Sequence, residues 1–319
     1  MKKAISITAA VIFAVLTFCS CGKSTSETEG LSIVCTAFPQ YDFVKNIIGT
    51  ENGLTLLLDD GADLHSYEPT AQDIIRIGSA DIFIYGGGVS DDWVEGVLNS
   101  ANNPDLEVVA TMDLVDTLEE KYLVGMQQES HEHKHNGAHE GDHSNEDEHI
   151  WLSLKNAVTI TEKLCELICK VNPESAEVYR TNSEKYISEL KALDAEYSAL
   201  IDSSARKTLL FADRFPFRYL AEDYELNCFA AFAGCSSESE ASFETMAFLI
   251  DKTKELALPV VLTIDGSDGS LAKTVCDATG AKTASLDSCQ SVSSADIARG
   301  TSYTGIMKSN LEILREALN

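Results

Sequence analysis

The strongest constraint on the fold is a repeated alternation of short apolar runs and amphipathic segments, divided in two by one long helical pattern. Apolar runs at 31–37, 54–58, 82–85 and 106–110 read as strands, and segments 41–48, 69–79 and 91–100 between them as helices. An apolar helix follows at 152–168. A helical pattern then runs through Tyr179, Tyr186, Ile187, Leu190, Leu193, Tyr197 and Leu200, with Asn172 suited to its N-cap and Pro173 to its first turn. About thirty helical residues would span roughly 45 Å, more than a single lobe needs. Beyond it the alternation resumes, with strands at 207–212, 228–232, 259–264 and 283–286 and helices at 217–224, 243–256, 270–278 and 303–318. The predicted fold class is α/β: two (β/α) lobes with parallel sheets, 31–171 and 205–319, joined by a long rigid linker helix at 172–204. No repeat of 20–50 residues occurs, which excludes a solenoid. Ligands of such sheets gather beyond the carboxyl ends of the strands.

The N-terminus is read apart from this fold. Lys2 and Lys3 precede an apolar stretch at 4–18 that is short for a membrane span. The stretch ends in Leu-Thr-Phe-Cys-Ser-Cys-Gly, and a Ser/Thr/Glu-rich tether runs from 21 to 30. A small residue before a cysteine, then a polar tether, marks a bacterial lipoprotein signal at 1–20 with Cys21 as the lipid acceptor, Ser20 being the better preceding residue than Phe18. This places the chain outside the cytoplasm, anchored by lipid to the bacterial cell membrane. Seven cysteines remain beyond Cys21, an odd number that leaves at least one free thiol. Cys276 and Cys289 are close enough in sequence to pair, whereas Cys165 and Cys169 read as packing residues on one helix face.

The chain carries 51 Asp and Glu against 24 Lys and Arg, a formal net charge of −27. Such a balance excludes a nucleic-acid partner and suits a protein that meets cations. The histidines are confined to two places. His65 stands alone, and His131, His133, His135, His139, His143 and His149 fall in one window dense in Glu and Asp. Imidazole with carboxylate is the ordinary ligand chemistry of borderline metals such as Zn²⁺. His65 lies in a strand-to-helix loop, and His149 where the polar segment meets an apolar helix. The segment 129–147 has no periodicity and reads as a mobile loop of weak His and Glu sites that concentrates metal locally, the alternative being a plain solvated linker. No CxxC occurs, so a thiolate zinc site has no motif to support it. Gly86-Gly87-Gly88 lacks the GxxxxGK[ST] pattern and reads as a strand-end turn.

Five segments in order, GADLHSYEPT (61–70), DEHIWLS (147–153), FPFRYLAEDY (215–224), SLDS (285–288) and TSYTGIMKSNLEIL (301–314), resemble the zinc/manganese solute-binding lipoproteins of bacterial metal ABC transporters. The first two are specific, the last less so, and the resemblance covers about 31–319. It implies one metal held in a cleft between two (β/α) lobes, a rigid linking helix, a His-rich loop in zinc members, and delivery to an ABC permease. Carried over by position, His65 is the first ligand, His149 the second and Asp287 the late acidic ligand. The third position departs from the family pattern, because it falls on Arg214, whose guanidinium does not ligate a cation. Asp213 next to it is the expected oxygen ligand, with Arg214 holding a carboxylate. Alternatively the two cap the following helix and pair with each other, and Glu240 and Cys235 are the fallback ligands. The expected cargo is Zn²⁺ ahead of Mn²⁺, the expected state a monomer, and the expected role non-enzymatic. The competing readings are a manganese carrier, a zinc hydrolase (without an HExxH helix) and an adhesin, a use that the resemblance also allows.

Overall fold

β1 (Ile33–Cys35) and β3 (Ile82–Tyr85) are buried along nearly their whole length, as strands of a parallel sheet covered by helices on both faces must be. The protein is described here by a computed structural model covering residues 30–59, 64–127, 146–236, 240–290 and 292–319. With β2 (Leu54–Leu56) and β4 (Glu107–Ala110), these strands form a parallel sheet in the order β2-β1-β3-β4. A second parallel sheet comprises β5 (Thr208–Phe215), β6 (Asn227–Ala233), β7 (Val260–Ile264) and β8 (Lys282–Leu286) in the order β6-β5-β7-β8. Counted from its own first strand, each sheet has the same order, and the two-sheet α/β expectation holds.

The helices are α1 (Phe38–Ile48), α2 (Ala71–Gly78), α3 (Val94–Ala101), α4 (Leu154–Val171), α5 (Ala176–Ser203), α6 (Arg218–Asp223), α7 (Phe243–Glu255), α8 (Ser270–Thr279), α9 (Ser294–Ala298) and α10 (Tyr303–Leu318). Alternate residues of each strand serve different cores. Ile33 and Cys35 of β1, with Leu209 and Phe211 of β5, face one continuous interior that also takes α1, α4, α5 and α10. Val34 and Phe83 face a separate cluster with α2 and α3. Leu210 and Ala212 face a third with α7 and α8. The two sheets therefore share their inner core. Among the described residues no helix is long and apolar enough to cross a membrane.

Helix α5 explains how the sharing is achieved. Its buried residues Tyr179, Ser183, Tyr186, Leu190, Leu193, Tyr197 and Leu200 recur at intervals of four and three, a narrow stripe along about 32 Å of the helix. Tyr197 Oη donates to the Met307 carbonyl at 2.6 Å, so the stripe is also tied by hydrogen bond to α10. The helix starts later than the sequence predicts. Asn172 ends α4 and makes no side-chain cap; a 3₁₀ turn at Pro173–Ser175 intervenes, and Asn172 Nδ2 donates instead to Tyr179 Oη at 3.1 Å. The Cys276–Cys289 pairing is not made, and all seven described cysteines are free thiols. Cys276 packs with the outer α7/α8 cluster and Cys289 in the shared core, so the second sheet stands between them.

Asp42 is a carboxylate buried in this core. Its Oδ2 accepts from Tyr303 N at 3.1 Å, Tyr186 Oη at 3.3 Å and Asn46 Nδ2 at 3.2 Å, joining α1, α5 and the start of α10. Burial raises its pKa to about 6 despite these donors. A carboxyl whose folded pKa exceeds the unfolded value costs nothing at low pH. Its cost appears as pH rises past about 4 and is complete above the folded pKa, about 3 kcal/mol for such a shift. Asp42→Asn, which keeps an oxygen acceptor, should therefore stabilise the protein at pH 7 and do little at pH 4. Urea denaturation midpoints at the two pH values check this; an equal effect at both would contradict it.

Candidate metal centre

His65 is carried by a 3₁₀ turn, Leu64–Ser66, between β2 and α2. The turn is followed by a capping box in which Thr70 and Asp73 satisfy each other's backbone groups, and Tyr67 Oη donates to Asp73 Oδ2 at 3.1 Å. His149 stands at the head of another 3₁₀ turn, Ile150–Leu152, which leads into α4. It is completely buried. Asp147 Oδ1 accepts from both His149 N and His149 Nδ1, each at 2.9 Å. Asp147 is itself anchored, its N donating to the Leu118 carbonyl at 2.8 Å and its carbonyl accepting from Tyr219 Oη at 2.8 Å. Trp151 Nε1 donates to the Ser288 carbonyl and the Trp151 carbonyl accepts from Tyr303 Oη, which fixes the turn to the core.

These anchors bring the two imidazoles together, with ring centroids 5.4 Å apart and planes inclined at 58°. His65 Nδ1 lies 2.8 Å from Ser90 Oγ and 3.9 Å from Glu148 Oε2. Ser90 N donates to Glu148 Oε1 at 2.8 Å, so Glu148 braces the loop that meets His65. The triple glycine makes room for this. Gly87 has φ +107°, and a Cβ on Gly88 would stand 2.3 Å from Glu148 Cγ. The Nε2 atoms of both histidines are buried, and that of His149 has no hydrogen-bond partner among the described residues. An unmatched buried imidazole nitrogen is costly in a protein that uses it for nothing.

A third donor joins them from the second sheet. Beyond β6, Gly234 passes close to His149: a Cβ there would lie 3.2 Å from His149 Cε1 and 3.0 Å from the Phe215 carbonyl. Cys235 follows, its N donating to Glu120 Oε1 at 3.2 Å. One ligand atom each from His65, His149 and Cys235 lie within 4.8 Å of one another. Electrostatically the site is built for a cation. Burial opposes the imidazolium of His149, yet Asp147, Glu148 and Glu120 together raise its pKa. Burial first, then Glu148, Glu120 and Asp147, push the Cys235 thiol well above its usual range. A metal must therefore displace that proton to bind the sulfur, and in return it relieves the surplus of negative charge.

The other predicted residues stand apart from this group. Asp213 lies within β5, at the irregularity between Phe211 and Arg214, rather than beyond the strand end. Its Oδ1 accepts from Arg214 N at 2.9 Å and its Oδ2 from Ile264 N at 3.4 Å. Asp213, Arg214 and Glu240 nevertheless line the same cleft of about 640 Å³ as His65. Asp287 Oδ1 accepts from Cys289 N at 2.8 Å, and burial together with nearby Asp265 raises its pKa to about 6. Cys21 and the 1–20 signal lie outside the described residues, as do His131, His133, His135, His139 and His143. Of the predicted loop 129–147, Glu146 and Asp147 belong to the framework, Glu146 bridging antiparallel to Glu119. Sequence reasoning missed Asp147, Glu148, Ser90 and Glu120 as supports. The DEH triplet carried the signal for the first two, because a carboxylate two residues before a metal-type histidine can reach its Nδ1.

Residues 33–317 match the family model described as "Zinc-uptake complex component A periplasmic". The chain is 29% identical over 289 residues to the zinc-binding protein AdcA of Streptococcus pyogenes, covering 89% of this chain and 55% of that one. It thus spans little more than half the length of the AdcA relatives it matches. It is 30% identical over 297 residues to the high-affinity zinc uptake system protein ZnuA of Bacillus subtilis, covering 93% and 90% of the two chains. Among solved structures, the Zn(II)-bound ZnuA-like domain of Streptococcus pneumoniae AdcA superposes with a TM-score of 0.72 at 26% identity, covering 90% of this chain and 98% of that one.

The Asp147 carboxylate fixes the His149 tautomer, while the peptide groups of Asp147 hold the local fold. Asp147→Ala should therefore keep the overall fold at a cost of about 1–3 kcal/mol for the unpaired His149 N–H and weaken metal binding by roughly 10–100-fold, the usual cost of losing an outer partner of a ligating histidine. Circular dichroism and competitive zinc titration check the two halves of this expectation.

Proposed function

This chain belongs to the periplasmic zinc-uptake complex component A family, and on that premise we propose that it captures Zn²⁺ at the junction of its two sheets and delivers it to an ABC permease for import. The observation that carries the reading is the convergence of His65 and His149, from separate segments, to a ring separation of 5.4 Å beside a fully buried carboxylate partner. Two imidazoles with Nδ1 engaged present Nε2 to a cation, the usual arrangement of protein zinc ligands. Asp213 would supply an oxygen to the ion only by leaving Arg214 N and Ile264 N, and Asp287 only by leaving Cys289 N. In this reading the protein performs no chemical turnover. It holds an ion, and the shared core limits its response to a small tightening of the loops around the site rather than a wide hinge.

The lipid anchor at Cys21 belongs to the same proposal, since a carrier tethered to the membrane stays beside its permease. The name of a further relative, the zinc-binding lipoprotein AdcA of Streptococcus pneumoniae, supports it. The histidines at 131–143 serve as weak accessory sites that raise the local metal concentration.

Calorimetric titration of the purified protein with Zn²⁺ should give one tight site at neutral pH. His65→Ala or His149→Ala should weaken that site by more than the roughly 10–100-fold expected of an outer partner. Turnover of an ester or peptide that disappears in His65→Ala would instead favour a catalytic zinc. Deleting 129–145, a cut that spares Asp147, should lower the number of zinc ions bound while leaving the tight site unchanged. Loss of the tight site in that deletion would contradict an accessory role for the segment.

A further inference from the structure

We propose that Cys235 is the third metal ligand of this chain, so that the cargo ion is held by two imidazoles and one thiolate. The inference rests on the zinc-capture reading above and names its donor set. Four observations support it. The ligand atoms of His65, His149 and Cys235 lie within 4.8 Å of one another, the only such group of three among the described residues. His149 is completely buried, and its Nε2, opposite the Nδ1 held by Asp147, meets no other hydrogen-bonding atom of the described residues. Gly234 has no side chain to hold the Cys235 segment away from the His149 ring. Glu120 fixes the Cys235 backbone from a different segment. Arg214, within β5 at the position that the family resemblance makes the third ligand, carries a guanidinium that does not bind a cation, and the Asp213 carboxylate is taken by two backbone N–H groups.

The geometry is close to a metal site. Zinc bonds of about 2.0–2.1 Å to nitrogen and 2.3 Å to sulfur place tetrahedral ligand atoms roughly 3.3–3.8 Å apart. Three donors already within 4.8 Å need move together by no more than about 1.5 Å, well within the reach of side-chain rotation and a small shift of a loop. A thiolate makes the set softer than imidazole and carboxylate alone. It favours Zn²⁺ and Cd²⁺ and disfavours Mn²⁺, which sets this chain against a manganese role by its chemistry.

Cobalt substitution tests the proposal. Under reducing conditions the Co²⁺-loaded protein should show a sulfur-to-cobalt charge-transfer band in the near ultraviolet. Cys235→Ser should lose that band and at least about tenfold in zinc affinity, and Cys276→Ser should keep both. Because Cys235→Ser could disturb folding, a second measurement uses the unsubstituted protein. Cys235 is partly exposed, and its alkylation by iodoacetamide, followed by mass spectrometry at a pH alkaline enough to modify it in the metal-free protein, should slow at least about tenfold when Zn²⁺ is added, as a metal-bound thiolate is withdrawn from attack. A protein that binds Co²⁺ and Zn²⁺ without the band, or whose Cys235 is alkylated equally fast with and without zinc, overturns the thiolate ligand and leaves the capture reading standing. A protein that binds neither ion overturns both.

Discussion

The site depends first on the carboxylate of Asp147. One oxygen, Oδ1, receives both the backbone N–H and the ring Nδ1 of His149, and so sets the tautomer and the direction of a histidine without solvent contact. Everything else about that histidine follows from where Asp147 is held. Its own peptide groups are bonded to Leu118 and Tyr219, and the turn that follows is bonded through Trp151 to Ser288 and Tyr303. A buried imidazole with one nitrogen fixed and the other unmatched is an unfavourable arrangement unless a cation completes it. The carboxylates of Glu148 and Glu120 nearby act in the same direction, since negative charge in a confined site favours a positive guest.

Much of this was legible in the sequence. Strand and helix alternation was readable because parallel strands covered on both faces are nearly continuous apolar runs, and because the α5 stripe repeats every three or four residues. His65 and His149 stood out because histidine is so scarce elsewhere in the chain. Cys235 had no comparable signature. It reaches the histidines only because β6 ends beside them and Gly234 permits the approach, and neither fact is encoded in local spacing. The absence of CxxC argued against a thiolate from short-range pattern alone, whereas the three candidate donors stand on separate segments. Asn172 failed as an N-cap for a related reason: a 3₁₀ turn offered its side chain a tertiary partner, Tyr179, in place of a helix end.

Period-two alternation shows that each strand has two apolar faces, but not what each face meets. Ile33 and Leu209 belong to different sheets and to one interior. Helix α5 links the two sheets as a wall of that interior, lined with tyrosines whose hydroxyls find Asp42 and the Met307 carbonyl. Rigidity around the site comes from this arrangement, and it is also why movement is best accommodated in the loops beyond the strand ends, where the candidate ligands stand.

A common interior has a further consequence. An ion bound where the sheets meet is linked to the melting of the entire body from Leu31 to Asn319, since neither sheet can lose its inner face without exposing the other's. Occupancy then protects the packed strands and helices of that body against proteases in proportion to the free metal concentration, so scarcity of the ion would shorten the lifetime of the protein.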